Sequence, residues 1–342
     1  MTESWHKLLR YESRDLVTEG YKVRNGREPN AARVLEITAN FVQAREYFAN
    51  ASHADISVKP LLLYYGVLAL CRGLILYCST TKGPEALKPS HGLRSIDWSG
   101  TLAKGIGCFH ELTVGLQAGT MLDLIEASDN KAYFKANCSA INWSITFPKP
   151  PPEARFRFCD ILLGFADLRD DILLWRSTPF PSLQVDAIVV VSGRPKLTFT
   201  NGTTEEKVVQ LFGTTYPGLE AGVDGSKVWA LLPAGTFPCI SQLTSKAFGA
   251  GIGDIHLIPP IGGSLYFNPL SLLYASSYFL GMAVRYFPSA WLSLARQGKG
   301  DRVFPLVVRL LSFIEDQVPE IVLQYLEAPH NFENKLTNAT AT

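Results

Sequence analysis

Two side chains in this sequence are placed to do chemistry together. Arg72 is the one charge in the middle of the apolar run Lys59–Ser79, and His91 sits in the Ser90-His91-Gly92 turn that follows it. A guanidinium is a fixed cation with a fork of donors, and an imidazole can donate, accept or carry a proton near neutral pH. Together they can grip a phosphate, and a histidine so held can serve as acid or base. Each also has a structural role open to it. A buried arginine must be paired, because an unpaired buried charge is costly, and Glu36 or Glu46 on the preceding helix could supply the carboxylate. His91 could cap a helix end. Arg72 and His91 are the candidate catalytic residues, and Lys59, Arg72 and His91 the candidate ligand-binding set.

Other clusters carry weaker signals. Cys108, His110 and Glu111 are three metal-ligand types, but their spacing fits no structural zinc pattern. Asp167 and Asp170 share a helical face and could hold magnesium, though a solvated acidic face explains them as well. Gly249-Ala250-Gly251-Ile252-Gly253 is glycine-rich without the strand before and helix after that a nucleotide loop needs. Arg285-Tyr286, close to Trp291, suits a cation–π contact tying the last helices to the core. Tyr64, Tyr65, Arg285 and Trp291 are read as structural. No GxSxG, Walker lysine, HExxH or paired CxxC motif occurs, and the sequence implies no metal and no cofactor.

These groups need elements to hold them. Pro60 suits a first helical turn, and no proline follows before Cys78, which predicts a helix about 27 Å long. It is apolar on nearly every face and should be buried on nearly every face. A membrane span is the rival reading, opposed by the cost of Arg72 in lipid. Asn30 can cap a helix over about 31–52, with Val34, Ile37, Phe41, Phe48 and Ala51 at helical spacing and Arg33, Glu36 and Gln43 elsewhere. The short connection that follows predicts an antiparallel hairpin of these two helices. Residues 1–29 suggest a short docking helix and a Gly/Pro turn. Lys88–Leu93 reads as a polar loop, Leu112-Val114-Leu116 as a strand, Thr120–Ala127 as a short helix, and Asn137–Phe147 as an extended segment. Phe158–Trp175 reads as one helix after the proline-rich boundary Lys149–Pro152. Gln184–Ser192 and Lys196–Thr200, around Gly193-Arg194-Pro195, predict a hairpin, with Val228–Leu232 and Asp254–Ile258 as further strands. Leu270–Tyr286 is a long apolar helix stopped by Pro288. Residues 303–327 predict an amphipathic helix broken near Pro319, and the tail from Pro329 is expected to be disordered.

The pattern predicts an α+β protein: a mostly helical bundle formed by the N- and C-terminal helices, with an inserted small antiparallel β-rich lobe. The expected boundaries are 1–149 for the N-terminal helical region, 150–266 for the lobe, 267–328 for C-terminal helices packing back on the first bundle, and 329–342 for the tail. Hydrophobic content of 47% and charged content of 18% over 342 residues describe a globular chain with a large core. A net charge of +1 leaves any nucleic-acid or membrane binding to a local patch. Six cysteines form no CxxC pair, and Cys71 and Cys78 stand about 10 Å apart on one helix. The charged N-terminus has no apolar h-region, so a cytoplasmic protein with reduced thiols is expected.

Two stretches carry a family resemblance. Lys59-Pro60-Leu61-Leu62-Leu63-Tyr64-Tyr65-Gly66, running on to Arg72 and His91-Gly92, resembles the YaaC-like family of bacterial proteins. So does Tyr278-Phe279-Leu280-Gly281-Met282 with Arg285-Tyr286 and Trp291. The N-terminal helical part also resembles HEPN domains, whose nucleases carry an Arg and a His with four to six residues between them on one helix. Arg45 and His53 are the nearest pair here, and their spacing departs from that motif. The lack of any complete catalytic constellation favours a cytosolic, non-catalytic binding or scaffold component. Such a component acts with a protein partner encoded nearby, in stress response or antiphage defence. The alternatives are a HEPN-like ribonuclease using Arg72 and His91, and a nucleotide or small-anion sensor anchored by Arg72. RNA or a nucleotide, and a homodimer, are further partner expectations; a membrane is not.

Overall fold

The computed structural model describes residues 2–87, 89–134, 141, 143–177, 180–200, 202–242, 255–296 and 301–328. The glycine-rich run 249–253, Cys138, part of the expected extended segment 137–147 and the tail from Pro329 lie outside the described residues. Along the chain come α1 (Glu3–Leu8), α2 (Arg14–Asn25), α3 (Ala31–His53), α4 (Lys59–Cys78), β1 (His91–Ile96), α5 (Trp98–Ala103), β2 (Thr113–Gly119) and α6 (Thr120–Ala127). Next are β3 (Lys131–Phe134), β4 (Trp143–Thr146), β5 (Arg155–Arg157), α7 (Phe158–Leu162), α8 (Arg169–Arg176), β6 (Leu183–Val191), β7 (Arg194–Phe199) and α9 (Glu205–Phe212). The rest are β8 (Glu220–Asp224), β9 (Lys227–Leu231), β10 (Ile240–Gln242), β11 (Ile255–Leu257), α10 (Pro269–Tyr286), α11 (Pro288–Ala295) and α12 (Phe304–Glu327). Helices and small antiparallel sheets make this an α+β fold.

The chain divides into two compact units. The first takes Met1–Asn130, Lys149–Ile161 and Phe267–Asn331; the second takes Lys131–Pro148 and Leu162–Tyr266.

In the first unit α4 is the central element, packed by α3, α6, α10 and α12. Its length and hydropathy would suffice to cross a membrane, but here that surface is covered by protein. Two glycines let α3 lie close along it. A Cβ on Gly66 would stand 2.6 Å from the Phe48 ring, and one on Gly73 2.8 Å from the Phe41 ring. Ascending glycines meet descending phenylalanines, so the hairpin is antiparallel. Asn30 caps α3 by accepting from the Arg33 N–H at 2.8 Å. Arg33 itself corrects the sequence reading, which put it away from the core. It is buried, and its guanidinium donates to the carbonyls of Leu76, Ser79 and Lys82 and to the Tyr21 hydroxyl. It satisfies acceptors orphaned at the end of α4.

The first unit also holds a sheet, β1-β2-β5, with antiparallel pairs; β2 overlaps the strand expected at Leu112–Leu116, while β1 and β5 were not expected. Lys88–Leu93 is therefore not simply a loop, since β1 starts at His91. α10 is buried along most of its length, and its cap residue Asn268 is wholly satisfied. The side chain accepts from Ser271 N–H at 2.8 Å and donates to Ser128 Oγ at 2.9 Å. α12 runs unbroken through Pro319, contrary to the expected break. Proline removes one hydrogen bond, and the buried residues on both sides, Ile314 and Val318 before and Val322 after, keep the helix in place.

In the second unit a six-stranded antiparallel sheet runs β10-β11-β6-β7-β9-β8. The β6–β7 turn is Ser192-Gly193, both at positive φ (50° and 75°), as a two-residue turn of type I′ requires. One sheet face joins the β3–β4 hairpin and α9 in a core that includes Phe134, Trp143, Phe199 and Phe212. The expected single helix over Phe158–Trp175 is instead α7, a 3-10 turn at Ala166–Leu168, and α8. Phe165, after Gly164, is extended (φ −117°, ψ 97°), which ends the first helix.

Candidate functional site

His91 is fixed from several sides, all within the first unit. Its carbonyl accepts from the Tyr274 hydroxyl at 2.8 Å, and the carbonyl of Ser90 accepts from both the N–H and the hydroxyl of Thr120 at 3.0 Å. Gly92 has φ 76°, and a Cβ there would collide with the backbone nitrogen of Met121, so only glycine lets this strand start so close to α6. The imidazole Nδ1 lies 2.5 Å from the Tyr64 hydroxyl, and the ring stands 5.7 Å from the Tyr278 ring. Burial, and then the nearby Arg285 charge, lower the pKa of His91.

Tyr64 owes its place to Gly281. A Cβ on Gly281 would stand 2.6 Å from Tyr64 Cβ, so α10 and α4 touch backbone to side chain at this point. Burial, followed by Tyr274, pushes the Tyr64 phenol far above its ordinary pKa, and burial pushes Tyr278 up to about 12. The neighbouring Tyr65 accepts from Arg285 Nη1 at 2.6 Å and stacks on Tyr47 at 5.8 Å. Arg285 also lies over the Tyr286 ring at 5.0 Å, the cation–π contact expected from the sequence. Trp291 is buried and donates to the Ile56 carbonyl at 3.0 Å.

Arg72 and His91 line one cavity of about 380 Å³, together with Asn40, Gln43, Tyr47 and Tyr65. No carboxylate is among its described lining residues. Glu46 pairs with Arg45 at 2.9 Å, and Arg45 also grips Glu12 at 2.8 Å. Arg45 and His53 do not form a pair, since the ring of His53 is taken by Ser52 and the Ala49 carbonyl. Lys59 is not at this cavity either; its ammonium meets Glu315 of α12 at 2.5 Å, where it joins α4 to the last helix. Sequence reasoning missed Asn40, Gln43 and Tyr47. The signal was there: the three fall three and four residues apart on α3, and Tyr65, Leu68 and Arg72 repeat that spacing on α4.

The other candidate clusters are held differently. His110 bonds the Gly107 carbonyl at 2.9 Å within a 3-10 turn. Asp167 lies in a 3-10 turn and Asp170 in the first turn of α8, so they do not share one helix face. Among the described residues no three His, Cys, Asp or Glu side chains gather to hold a metal ion.

No curated protein and no solved structure matches the chain. The family model for the YaaC-like Protein matches residues 10–111 and 240–326, more than half of the chain. Those segments contain Tyr64, Arg72, His91, Gly281 and Arg285, and leave out β6 to β9. The chain belongs to the YaaC-like family.

Proposed function

We propose that this protein is a non-catalytic binding protein whose ligand is a small anion of nucleotide size, held between α3, α4 and the start of β1. The observation that carries this reading is the joint lining of one cavity by Arg72 and His91, among amides and phenols and without a carboxylate among the described lining residues. The volume falls in the range of small-molecule sites. Arg72 supplies the charge and the donor fork for a phosphate. With its pKa held down, His91 enters as a neutral hydrogen-bonding group. In the tautomer that places the ring proton on Nε2, the buried phenol of Tyr64 donates to Nδ1. Tyr47 and Tyr65 add aromatic surface for a base. A binding unit without a complete catalytic set must pass on its ligand state by contact, so the reading includes a protein partner, in stress response or antiphage defence.

The test is a thermal-shift screen with nucleoside mono-, di- and triphosphates. A ligand at 100 times its Kd adds about 2.7 kcal/mol of stability. At least one nucleotide should raise the melting temperature of the wild type and fail to raise that of Arg72→Gln. No shift with any of them, or an equal shift in the variant, overturns the proposal.

The same juxtaposition favours a second reading, a HEPN-like ribonuclease with Arg72 and His91 as its active groups. It requires RNA cleavage that disappears in both His91→Ala and Arg72→Ala; an RNA panel left intact by the wild type rules it out.

A further inference from the structure

The β-rich second unit has a cleft of its own, of about 430 Å³, lined by residues of α8, β6, α9 and β11. Alternation along β11 sets this up. Ile255 and Leu257 enter the core, so His256 between them faces the other way, beside its cross-strand partner Gln184. His256 is 5% exposed. Arg169, the first residue of α8, brings Nη1 to 3.4 Å from His256 Nε2, and Ser182 Oγ lies 3.3 Å from Nδ1. Lys207 of α9 stands at the rim, and Thr200 and Thr203 lie between.

The chemistry of these contacts has a direction. A guanidinium N–H can only donate, so Nε2 accepts and the imidazole proton sits on Nδ1. Nδ1–H then donates to Ser182 Oγ, and the serine O–H is turned outward as a donor. The same tautomer excludes His256 as the base that would activate Ser182, since the nitrogen facing the hydroxyl already carries a proton. A Ser-His contact that looks like a nucleophile and its base is therefore a chain of donors. It ends at a cleft that also holds Arg169 and Lys207. Asp170 also lines the cleft; its carboxylate stands 3.8 Å from Arg169 Nε and is mostly exposed to solvent, where its charge is screened. Leu173 and Phe180 give the cleft an apolar wall.

We infer that this cleft is a second binding site, separate from the Arg72 cavity, for a small phosphate monoester: the phosphate meets Ser182, Arg169 and Lys207, and an apolar or aromatic body lies on Leu173 and Phe180. Donors and cations select the oxyanion, and the apolar wall selects an ester over free phosphate.

The experiment is calorimetric titration of the full chain with phenyl phosphate, inorganic phosphate and phenol at low ionic strength. Phenyl phosphate should bind saturably and more tightly than inorganic phosphate, and phenol should not bind. Arg169→Gln should weaken phenyl phosphate about tenfold or more, Ser182→Ala about fivefold, and Lys207→Gln severalfold. Arg72→Gln should leave that Kd unchanged. Lys207 is exposed, so its variant keeps the test valid if Arg169→Gln fails to fold. The inference is overturned by the absence of saturable binding up to about 10 mM, a concentration that would still reveal millimolar affinity. It is equally overturned by an unchanged Kd in Ser182→Ala and Lys207→Gln, or by loss of binding in Arg72→Gln.

Discussion

Replacing Gly281 by alanine adds one methyl group at the closest approach of α10 to α4. The new Cβ would stand 2.6 Å from Tyr64 Cβ and 2.9 Å from its Cγ. Carbon atoms in contact prefer about 3.5–4.0 Å, so about 1 Å must be found. No rotamer of Tyr64 moves its own Cβ, so the helices themselves must part. Overpacking of this kind costs about 3 kcal/mol at the upper end of the usual range. Alanine returns about 1 kcal/mol of helix propensity. The net is a loss of about 2 kcal/mol, or roughly 4–8 °C in Tm. Gly20→Ala is the control. It is also helical, but its Cβ would meet only the hydroxyl tip of Tyr77, at 2.6 Å, beside a cavity into which the tip can move. With the same gain in helix propensity and only a side-chain tip to move, that variant should be as stable as the wild type or up to about 1 kcal/mol more so. Thermal and urea unfolding of the two variants side by side gives the answer. A Gly281→Ala protein that melts at or above the wild type, or together with Gly20→Ala, refutes the packing argument that holds Tyr64 against His91.

Further outcomes follow from the same contacts. His91 has a pKa lowered below 6.5 by burial and then by Arg285, with Tyr64 and Tyr278 also facing it. Below that pH the unfolded chain takes up a proton that the folded chain resists, so stability falls as pH drops through this window. His91→Asn should flatten the slope, by at most about 1.4 kcal/mol per pH unit and less for a half-exposed ring; urea midpoints from neutral pH downward, compared with the wild type, read this. Arg33→Met leaves buried carbonyls and the Tyr21 hydroxyl without their donor and should cost about 2–4 kcal/mol by denaturant unfolding. A double-mutant cycle of Lys59→Met and Glu315→Gln should give a coupling of about 1 kcal/mol, since both side chains are mostly covered. Zero coupling would mean that the pair does not tie α4 to α12.

Much of the helical framework was legible because its signals are local. Asn30 and Asn268 announce the starts of α3 and α10, and the apolar spacing of Val34, Ile37 and Phe41 sets one face. The strand β1 was not legible. Only Gly92 and Leu93 are buried in it, and its partner β2 begins only at Thr113, beyond α5, so nothing near His91 marks the pairing. Arg33 and Pro319 misled for a related reason. A charged residue and a helix breaker have unfavourable local preferences, which the tertiary contacts around them override. At the site, Arg72 and His91 stood out as the charge in an apolar run and the histidine after it. Lys59 stood out equally but is drawn to Glu315, a carboxylate whose position no spacing could reveal.

The central claim is that Arg72 holds an anion in the cavity it shares with His91. Equilibrium titration of the nucleotide that gives the largest thermal shift, into wild type, Arg72→Gln and Arg169→Gln, tests it most directly. The account predicts a loss of about tenfold or more in Arg72→Gln, the worth of a charge-assisted hydrogen bond, with little change in Arg169→Gln. An affinity unchanged in Arg72→Gln would contradict it.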